Sequence, residues 1–405
     1  MDILKVILKK NEEIRIKQGD PWVFSNEVAS FEGKIKSGEL CDVYSFNHEF
    51  IGRGFLNTAS KIIVRIISYD KITVDEDFFI DRITKAYEYR KQLGFANNCR
   101  VVFGEADLLP GLIVDKYGDY LSIQILCLGM DVNRELIKNA LIKIFNPKGI
   151  MERSDVPIRL KEGLSEVKGF LYPTTFNPNV IIEENGIKLR VDLENGQKTG
   201  YFLDQKTNRA ALDKYVKDKR VLDCFSHTGG FALNAINFGA KFATAVDISE
   251  KACNDILENA KLNNFENKID IKCCDVFDFL RDENNKNKYD VIVLDPPAFT
   301  KSKDTVEKAY KGYKEINMSA LKLLNEKPVV QEITDKNNFN FNSLEITDLK
   351  FGYENNNLII NNLNLKAKKG EIICILGESG CGKSTLLKLL LRFIRKIVAQ
   401  LNIII

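Results

Sequence analysis

The stretch from Val221 to Phe299 constrains the fold more than any other part of the 405-residue chain. Short apolar runs alternate there with glycine turns and acidic residues, in the segments VLDCFSHTGGFALNA, ATAVDIS, IKCCDVFDFL and YDVIVLDPPAF. This alternation predicts an α/β fold in which the strands of a parallel sheet are joined by helices. Because open α/β sheets bind ligands at the carboxyl ends of their strands, the stretch also predicts a small-ligand site.

The composition is that of an ordinary soluble protein, with 44% hydrophobic and 28% charged residues. The formal net charge of +3 comes from the basic residues of 366–405, so the overall charge does not indicate a nucleic-acid partner. Nine cysteines without pairing spacings and the lack of a signal-peptide pattern predict reduced thiols and a cytoplasmic location. No apolar run is long enough to predict a transmembrane segment.

Residues 1–70 contain short strand-like runs separated by glycines, a pattern that is typical of a compact β-barrel. Two interpretations remain open for this segment. It is an RNA-binding module in which Trp22, Phe24, Arg53 and Lys61 lie near the contact face, or it is a structural barrel in which Trp22 is a core residue.

Residues 71–180 predict an α+β linking domain that opens with an amphipathic helix ended by Gly94. Glu105, Asp107 and Asp115 form an acidic group that could indicate a metal site. The alternative is that these side chains are solvated, which is much the commoner state of acidic residues in loops.

A polar turn containing Gln197, Lys198 and Thr199 precedes a helix that begins near Thr207, directly before the first strand of the sheet. Its position beside the sheet favours contact with the ligand. The first strand then leads into a turn, Ser226 to Gly230, and into the helix FALNAINFG. The exposed amides at the start of this helix favour a ligand that carries an anion or a carboxylate.

Aspartates end the next three strands. Asp247 follows Gly229 by 18 residues, a position from which a carboxylate can accept hydrogen bonds from both hydroxyls of a ribose. Asp275 ends the third strand, where it can meet an adenine amine, and Asp295 begins an Asp-Pro-Pro turn whose prolines fix the backbone. Since a full GxGxxG pattern is absent, a single nucleoside is favoured over a dinucleotide. The order and spacing of these signals favour a cofactor-binding domain over an α/β domain without a cofactor.

Five segments resemble successive motifs of the class I S-adenosylmethionine (SAM)-dependent large-subunit rRNA cytosine-C5 methyltransferases: QKTGYFLDQ, LDCFSHTGGFALNA, VDISEKACNDILENAKLNN, DVIVLDPPAFTKSK and AYKGYKEINMSALKLL. GDPWVFSNEV resembles part of the PUA barrel with which those enzymes begin. The resemblance covers residues 1 to about 324. It implies a PUA-like RNA-binding barrel at 1–70, the linking domain at 71–180 and a Rossmann-like methyltransferase domain, truncated at its C-terminal side, at 181–325.

The resemblance also implies SAM as the cofactor and large-subunit rRNA as the partner. The residues expected around the cofactor or the target base are Gln197, Lys198, Thr199, Phe225, Ser226, Thr228, Gly229, Gly230, Asp247, Asp275 and Asp295.

Cytosine C5 is a poor nucleophile, and enzymes of this family therefore add a cysteine thiolate to C6. An acid near N3 supports that addition, and Asp295 is the candidate. The base must be unpaired or flipped into the site. The family's cysteine lies in a motif beyond the helix that ends near Leu324, and the residues after LKLLNEKPVV do not continue the family's sequence. The resemblance therefore implies an impaired enzyme.

Two further interpretations concern the acceptor chemistry. Cys224, Cys273 and Cys274 lie where the family uses residues for structure or adenosine packing, so we do not expect any of them to replace the nucleophile. Asp-Pro-Pro turns also occur in enzymes that methylate exocyclic amines. Those enzymes normally place an aromatic residue directly after the prolines, where this chain has Ala298, so amine methylation is the less favoured reaction.

Residues 326–405 carry a second signature. GESGCGKST lies between the strand-like run EIICIL and a helical run, an arrangement that predicts a P-loop in which backbone amides and Lys383 cradle phosphates while Ser384 binds magnesium. The segment resembles the beginning of an ABC-transporter ATP-binding domain. The predicted ATP-binding residues are Tyr353, Gly377, Glu378, Ser379, Gly380, Cys381, Gly382, Lys383, Ser384 and Thr385.

The other motifs of an ABC ATPase, among them the signature loop and the switch histidine, are missing from the sequence. We therefore expect a partial P-loop segment that does not hydrolyse ATP, with a transporter partner only if the segment folds. The alternatives to a methyltransferase are an ATP-binding transporter fragment and a chimera that binds RNA or cofactor without catalysis.

Overall fold

The computed structural model describes residues 3–300, 305–325, 343–351, 359–368, 371 and 386. The contacts divide the chain into two compact units, residues 1–328 and residues 329–405. The first unit contains sheets of six, five and four strands and a two-stranded hairpin, and the second contains another two-stranded hairpin.

The N-terminal segment is a six-stranded sheet with the strand order β2-β6-β5-β4-β1-β3. Its elements are β1 (Leu4–Leu8), α1 (Glu13–Lys17), β2 (Trp22–Phe24), β3 (Val28–Glu32), β4 (Leu40–Tyr44), β5 (Phe50–Leu56) and β6 (Ile62–Ser68). Apolar side chains from all six strands and from α1 enclose one hydrophobic core. Gly54 allows β5 and β6 to approach closely, because a Cβ at this position would lie 2.3 Å from the Arg65 carbonyl oxygen.

Trp22 and Arg53 both make contacts within the fold. The indole Nε1 of Trp22 donates to Glu105 Oε1 at 2.9 Å, so this side chain joins the N-terminal sheet to the following segment. Arg53 Nε donates to Asp42 Oδ1 at 2.7 Å, and both residues are buried. The paired and buried Arg53 stabilises the fold, whereas the Trp22 side chain is half-buried.

The linking segment is a five-stranded sheet with the strand order β11-β10-β9-β8-β7. Its elements are α2 (Glu76–Gln92), β7 (Cys99–Phe103), β8 (Leu112–Tyr117), β9 (Tyr120–Ile125), α3 (Leu128–Val132), α4 (Arg134–Phe145), β10 (Gly149–Ser154) and β11 (Val167–Tyr172). The Asp75 side chain caps α2 by accepting a hydrogen bond from the Phe78 amide at 3.0 Å. The apolar face of α2, with Phe79 and Ile83, packs against the sheet in a second hydrophobic core.

The acidic group of the linking segment is not a metal site. Glu105 accepts from Trp22 and Arg65, Asp107 accepts from Arg90 Nη2 at 2.7 Å, and Asp115 is paired with Arg100 at 2.9 Å. Asp107 and Asp115 are largely buried and therefore not solvated, whereas the Glu105 side chain is 33% exposed. Within the part of the chain that the structure describes, no group of three or more metal-ligating side chains is found.

A hairpin of β12 (Asn179–Glu184) and β13 (Ile187–Asp192) leads into the parallel sheet that the sequence predicts. The elements that follow are α5 (Lys206–Ala210), α6 (Asp213–Val216), β14 (Arg220–Cys224), α7 (Gly230–Asn237), β15 (Phe242–Asp247), α8 (Glu250–Leu262), β16 (Ile269–Cys273), α9 (Val276–Arg281), β17 (Val291–Leu294) and α10 (Val306–Leu323). The four strands are parallel and have the order β16-β15-β14-β17.

This strand order places the reversal of the sheet at β14. The chain moves from β14 outward through β15 and β16, and β17 then pairs with the opposite edge of β14. A crevice forms at the carboxyl ends of the strands at such a point. β14 is buried almost throughout, whereas every residue of β17 is only half-buried. Tyr289, just before β17, forms an isolated parallel bridge with Leu324.

The second unit contains β18 (Ser343–Phe351) and β19 (Ile360–Lys368), which pair antiparallel. Ile346, Leu349, Phe351 and Ile360 form a small buried cluster with Leu386. The predicted P-loop at 377–385 and the predicted adenine-stacking Tyr353 lie outside the described residues.

Candidate functional site

A cavity of about 700 Å³ lies at the carboxyl ends of β14, β15 and β17. Three segments form most of its wall: the turn between β14 and α7, the end of β15 with the start of α8, and the Asp-Pro-Pro turn after β17. A fourth segment, from Asn195 to Phe202, closes the side next to Asp295. The cavity therefore occupies the place that the order of the strands predicts for a ligand.

Asp223 stabilises the turn between β14 and α7 through hydrogen bonds. Its Oδ2 accepts hydrogen bonds from Ser226 Oγ at 2.6 Å and from the Ala232 amide at 3.0 Å. Phe225 and His227 have φ angles of 61° and 53°, which non-glycine residues seldom adopt. Since Asp223 ties the turn to the first residues of α7, it holds this backbone in the conformation that lines the cavity.

Asp247 connects the end of β15 to the same turn. Its Oδ2 accepts from the His227 amide at 2.9 Å, and its Oδ1 accepts from the Ser249 amide at 2.9 Å. A carboxylate has about four lone-pair sites, so two remain for a ligand. Asp247 lines the cavity and is able to accept the two hydroxyls of a ribose.

Three carboxyls shape the electrostatics of the cavity: Asp223 is buried, Asp247 is half-buried and Asp295 is exposed. Burial raises the pKa of Asp223 to about 7, against the effect of its two hydrogen bonds, and the neighbouring Asp295 and Asp247 raise it further. Burial also raises the pKa of Asp295, as does Asp204, whereas Lys198 and Arg209 lower it. A carboxyl with a raised pKa can carry a proton to a bound base, which is the chemistry expected of Asp295.

The loop before the sheet presents two of its three predicted side chains to the cavity. Gln197 and Lys198 line the wall, and Lys198 Nζ donates to Asp204 Oδ2 at 2.9 Å. Thr199 does not line the cavity. Its side chain is buried and its Oγ1 donates to Asp115 Oδ2 at 2.5 Å, so the hydroxyl is directed into the linking segment.

Eight of the eleven predicted cofactor residues line the cavity: Gln197, Lys198, Phe225, Ser226, Thr228, Gly230, Asp247 and Asp295. Besides Thr199, the structure leaves Gly229 and Asp275 outside the wall. Gly229, with a φ of 82°, directly precedes α7 as its N-cap and lies near Ile256. Asp275 Oδ1 accepts from the Phe277 amide at 2.7 Å and so caps α9.

Arg209 is a cavity residue that sequence reasoning missed. It is almost fully buried, and its Nε and Nη2 donate to the two carboxylate oxygens of Glu184 at 2.6 and 2.9 Å. The guanidinium also lies 4.4 Å from the ring centre of Tyr201, another wall residue. The only signal in the sequence was its place near the predicted helix at Thr207, since the pairing with Glu184 spans 25 residues.

Family comparisons divide the chain in the same order as its sheets. Residues 6–69 match the PUA-like domain family, and residues 174–325 match a family described as S-adenosylmethionine-dependent methyltransferase. Residues 360–403 match the ABC transporter family.

Curated relatives match most of the chain. A protein from Aliivibrio fischeri strain MJ11, named ribosomal RNA large subunit methyltransferase I, is 39% identical over 328 residues, which are 80% of this chain and 83% of the relative. The protein of the same name from Aeromonas salmonicida is 42% identical over 326 residues, 79% of this chain and 82% of the relative. This chain belongs to the ribosomal RNA large subunit methyltransferase I family.

Solved structures support the same fold. SMU.776, described as a methyltransferase complexed with SAH (S-adenosylhomocysteine), is 25% identical and has a TM-score of 0.65, covering 80% of this chain and 84% of its own. A methyltransferase from Streptococcus mutans at 24% identity and a TM-score of 0.62 has the same fold over 80% of this chain and 90% of its own. The predicted Rossmann-like methyltransferase fold with a PUA-like N-terminal segment is thereby confirmed. Among the described helices, none combines the length and the apolar character needed to cross a membrane.

Proposed function

We propose that this member of the family binds SAM in the cavity at the carboxyl ends of β14, β15 and β17, and that its methyl acceptor is large-subunit rRNA. The observation that carries the proposal is the joint presence of Asp247 and Asp295 in the wall of one 700 Å³ cavity. The names of the curated relatives support the acceptor, and the neighbouring structure with SAH supports the cofactor.

The residues present fit a SAM-like ligand. Asp247 has acceptor sites left for a ribose, and the cavity volume is in the range of small-molecule sites. When bound, SAM would supply an electrophilic methyl group. The protein's part would be to hold the acceptor base beside it, and the raised pKa of Asp295 at the Asp-Pro-Pro turn supports a role in holding or donating a proton.

The finer proposal concerns cytosine C5 as the acceptor atom. Methylation at this atom needs a thiolate that adds to C6. None of the described cysteines lines the cavity, and burial raises the pKa of Cys224 as well as that of Cys253, to about 12 for the latter. Thiols with raised pKa values are poor nucleophiles. We therefore infer that the chain keeps the cofactor site and has impaired transfer to cytosine C5.

The same proposal assigns a role to each segment of the chain. Residues 1–70 would bind RNA, residues 71–180 would link, residues 181–325 would hold the cofactor, and residues 326–405 would form a partial ATP-binding segment. A cytoplasmic location is supported by the described cysteines, all of which are free thiols.

The test measures binding and transfer separately on the purified full chain. Calorimetry with SAH should give saturable binding. Transfer from labelled SAM to unmethylated large-subunit rRNA should be more than about a hundredfold slower than with the Aeromonas salmonicida relative, because none of the described cysteines lines the cavity. Absence of SAH binding would refute the cofactor proposal. Transfer at the rate of the relative would refute the inferred defect, and a methylated exocyclic amine in the product would refute the C5 assignment.

The match of residues 360–403 to the ABC transporter family favours a second candidate, ATP and magnesium binding with a possible transporter partner. We expect ATP binding without hydrolysis at this segment. Hydrolysis that Lys383→Ala abolishes would contradict this expectation.

A further inference from the structure

The loop from Gln197 to Tyr201 has a backbone conformation that its residue types do not favour. Lys198 and Thr199 have φ angles of 46° and 68°, and Gly200 follows at 145°. Two consecutive non-glycine residues in the left-handed region are strained, and Thr199 is also β-branched. Such a conformation persists only where the surroundings enforce it. The groups that enforce it here are found outside the methyltransferase sheet.

Asp115, on β8 of the linking segment, is the first of these groups. Its Oδ2 accepts from Thr199 Oγ1 at 2.5 Å, and Asp115 and Thr199 are exposed by only 1% and 2%. Both oxygens of Asp115 are also paired with Arg100, at 2.9 Å each. Arg100 therefore compensates the buried charge, and the ionised carboxylate is a stronger acceptor for the threonine than a neutral group would be.

Tyr117, two residues further along β8, is the second group. Its hydroxyl accepts from the Tyr201 amide at 3.1 Å and lies 3.3 Å from Thr199 Oγ1. The Tyr117 side chain is fully buried. One end of β8 therefore contacts the loop at Thr199 through Asp115 and at Tyr201 through Tyr117, on both sides of Gly200.

This fixation determines where the neighbouring side chains lie. Gln197 and Lys198 directly precede Thr199 and line the cavity, while Thr199 points the opposite way. Lys198 also acts electrostatically on Asp295, whose pKa it lowers. If Thr199 were released, the strained backbone would relax and carry Gln197 and Lys198 away from the wall.

We propose that Asp115 and Tyr117 are positioning residues for the cofactor site, and that Thr199 is the latch through which the linking segment holds the cavity loop. The linking segment therefore contributes to the conformation of the cofactor site. The inference rests on the proposed SAM site, because the loop matters only if the cavity holds the cofactor.

The test uses SAH as the probe and the full chain as the protein. Thr199→Val removes the hydroxyl and keeps the side-chain shape, and Thr199→Ser restores the hydroxyl. We expect Thr199→Val to weaken SAH binding by about tenfold or more, as for the loss of a charge-assisted hydrogen bond, and Thr199→Ser to bind within about threefold of the unsubstituted chain. Asp115→Asn should weaken binding in the same direction as Thr199→Val.

Asp107→Asn is the matched control. Asp107 lies in the same segment and is likewise paired with an arginine, Arg90, at 2.7 Å, but it does not contact the loop. It should leave SAH binding unchanged even if it lowers the melting temperature. Equal binding by Thr199→Val and the unsubstituted chain would overturn the latch, and so would failure of Thr199→Ser to restore binding. If the unsubstituted chain does not bind SAH, both the proposed function and the proposed role of Thr199 are refuted.

Discussion

Asp223 allows a quantitative test of the electrostatics beneath the cavity. The side chain is fully buried, and its Oδ1 has no hydrogen-bond partner among the described residues. Burial raises the pKa of this carboxyl from an ordinary value of 3.8 to about 7. Asp223→Asn keeps the shape and an oxygen that can accept from Ser226 Oγ and the Ala232 amide, but it removes the charge.

The size of the effect on the free energy of unfolding follows from the difference between the ordinary and the raised pKa of Asp223. A separation of about three pKa units corresponds to about 4 kcal/mol at 25 °C. Between pH 4 and 7 the folded state holds a proton on Asp223 that the unfolded state has released, so the free energy of unfolding falls as the pH rises. Above about pH 7 the folded state has lost this proton too, and the contribution is constant. Some 2 to 3 kcal/mol of the loss should fall between pH 5 and 8.

The measurement is the pH dependence of unfolding of the full chain, followed by calorimetry from pH 5 to 8. Asp223→Asn should be more stable than the unsubstituted chain at pH 8, and the difference should shrink towards pH 5. Asp213→Asn, at an exposed position, is the control and should leave the profile unchanged. A difference between Asp223→Asn and the unsubstituted chain that does not vary with pH, or a loss of stability at pH 8, would refute the reasoning.

Two further predictions concern single carboxylates near the cavity. Glu184→Gln leaves the buried Arg209 without its counter-charge and should lower the free energy of unfolding by about 3 kcal/mol, measured by denaturant titration, whereas the same change at the exposed neighbour Glu183 should cost little. Asp247→Asn should weaken SAH binding by about tenfold in calorimetry, because it weakens the bonds that hold the turn and the acceptor sites offered to a ribose. Asp270→Asn, outside the cavity wall, should bind SAH normally, and equal losses at both positions would contradict the assignment.

The features that could be predicted from the sequence are local. The pattern of the apolar runs predicts the parallel strands. A residue at the carboxyl end of such a strand must lie at the carboxyl edge of the sheet. Asp247 and Asp295 follow this rule, and both line one cavity. The turn after β14 was found for the same reason, since its glycines directly follow a buried strand.

The features that could not be predicted depend on pairings distant in the sequence. Thr199 was expected at the cofactor, but its partner Asp115 lies 84 residues earlier on another sheet. The metal interpretation of Glu105, Asp107 and Asp115 failed because each carboxylate has a cationic partner that sequence spacing does not reveal. Asp275 shows a different difficulty, because a strand-end aspartate can equally well cap the following helix.

The residues that form the cavity wall and the residue expected to activate the acceptor come from different parts of the chain. Every wall segment belongs to residues 179–298, and the latch that holds the loop comes from β8. Tyr289, just before the half-buried β17, forms an isolated bridge with Leu324, and the match to the methyltransferase family ends at residue 325. The wall of the proposed cofactor site thus lies before the end of the family match, while the thiolate that the resemblance implies is expected after it. A chain built in this way should bind SAH as well as its relatives do while failing at cytosine C5, and equal loss of both activities would show that the sheet edge, rather than the missing thiol, is the defect.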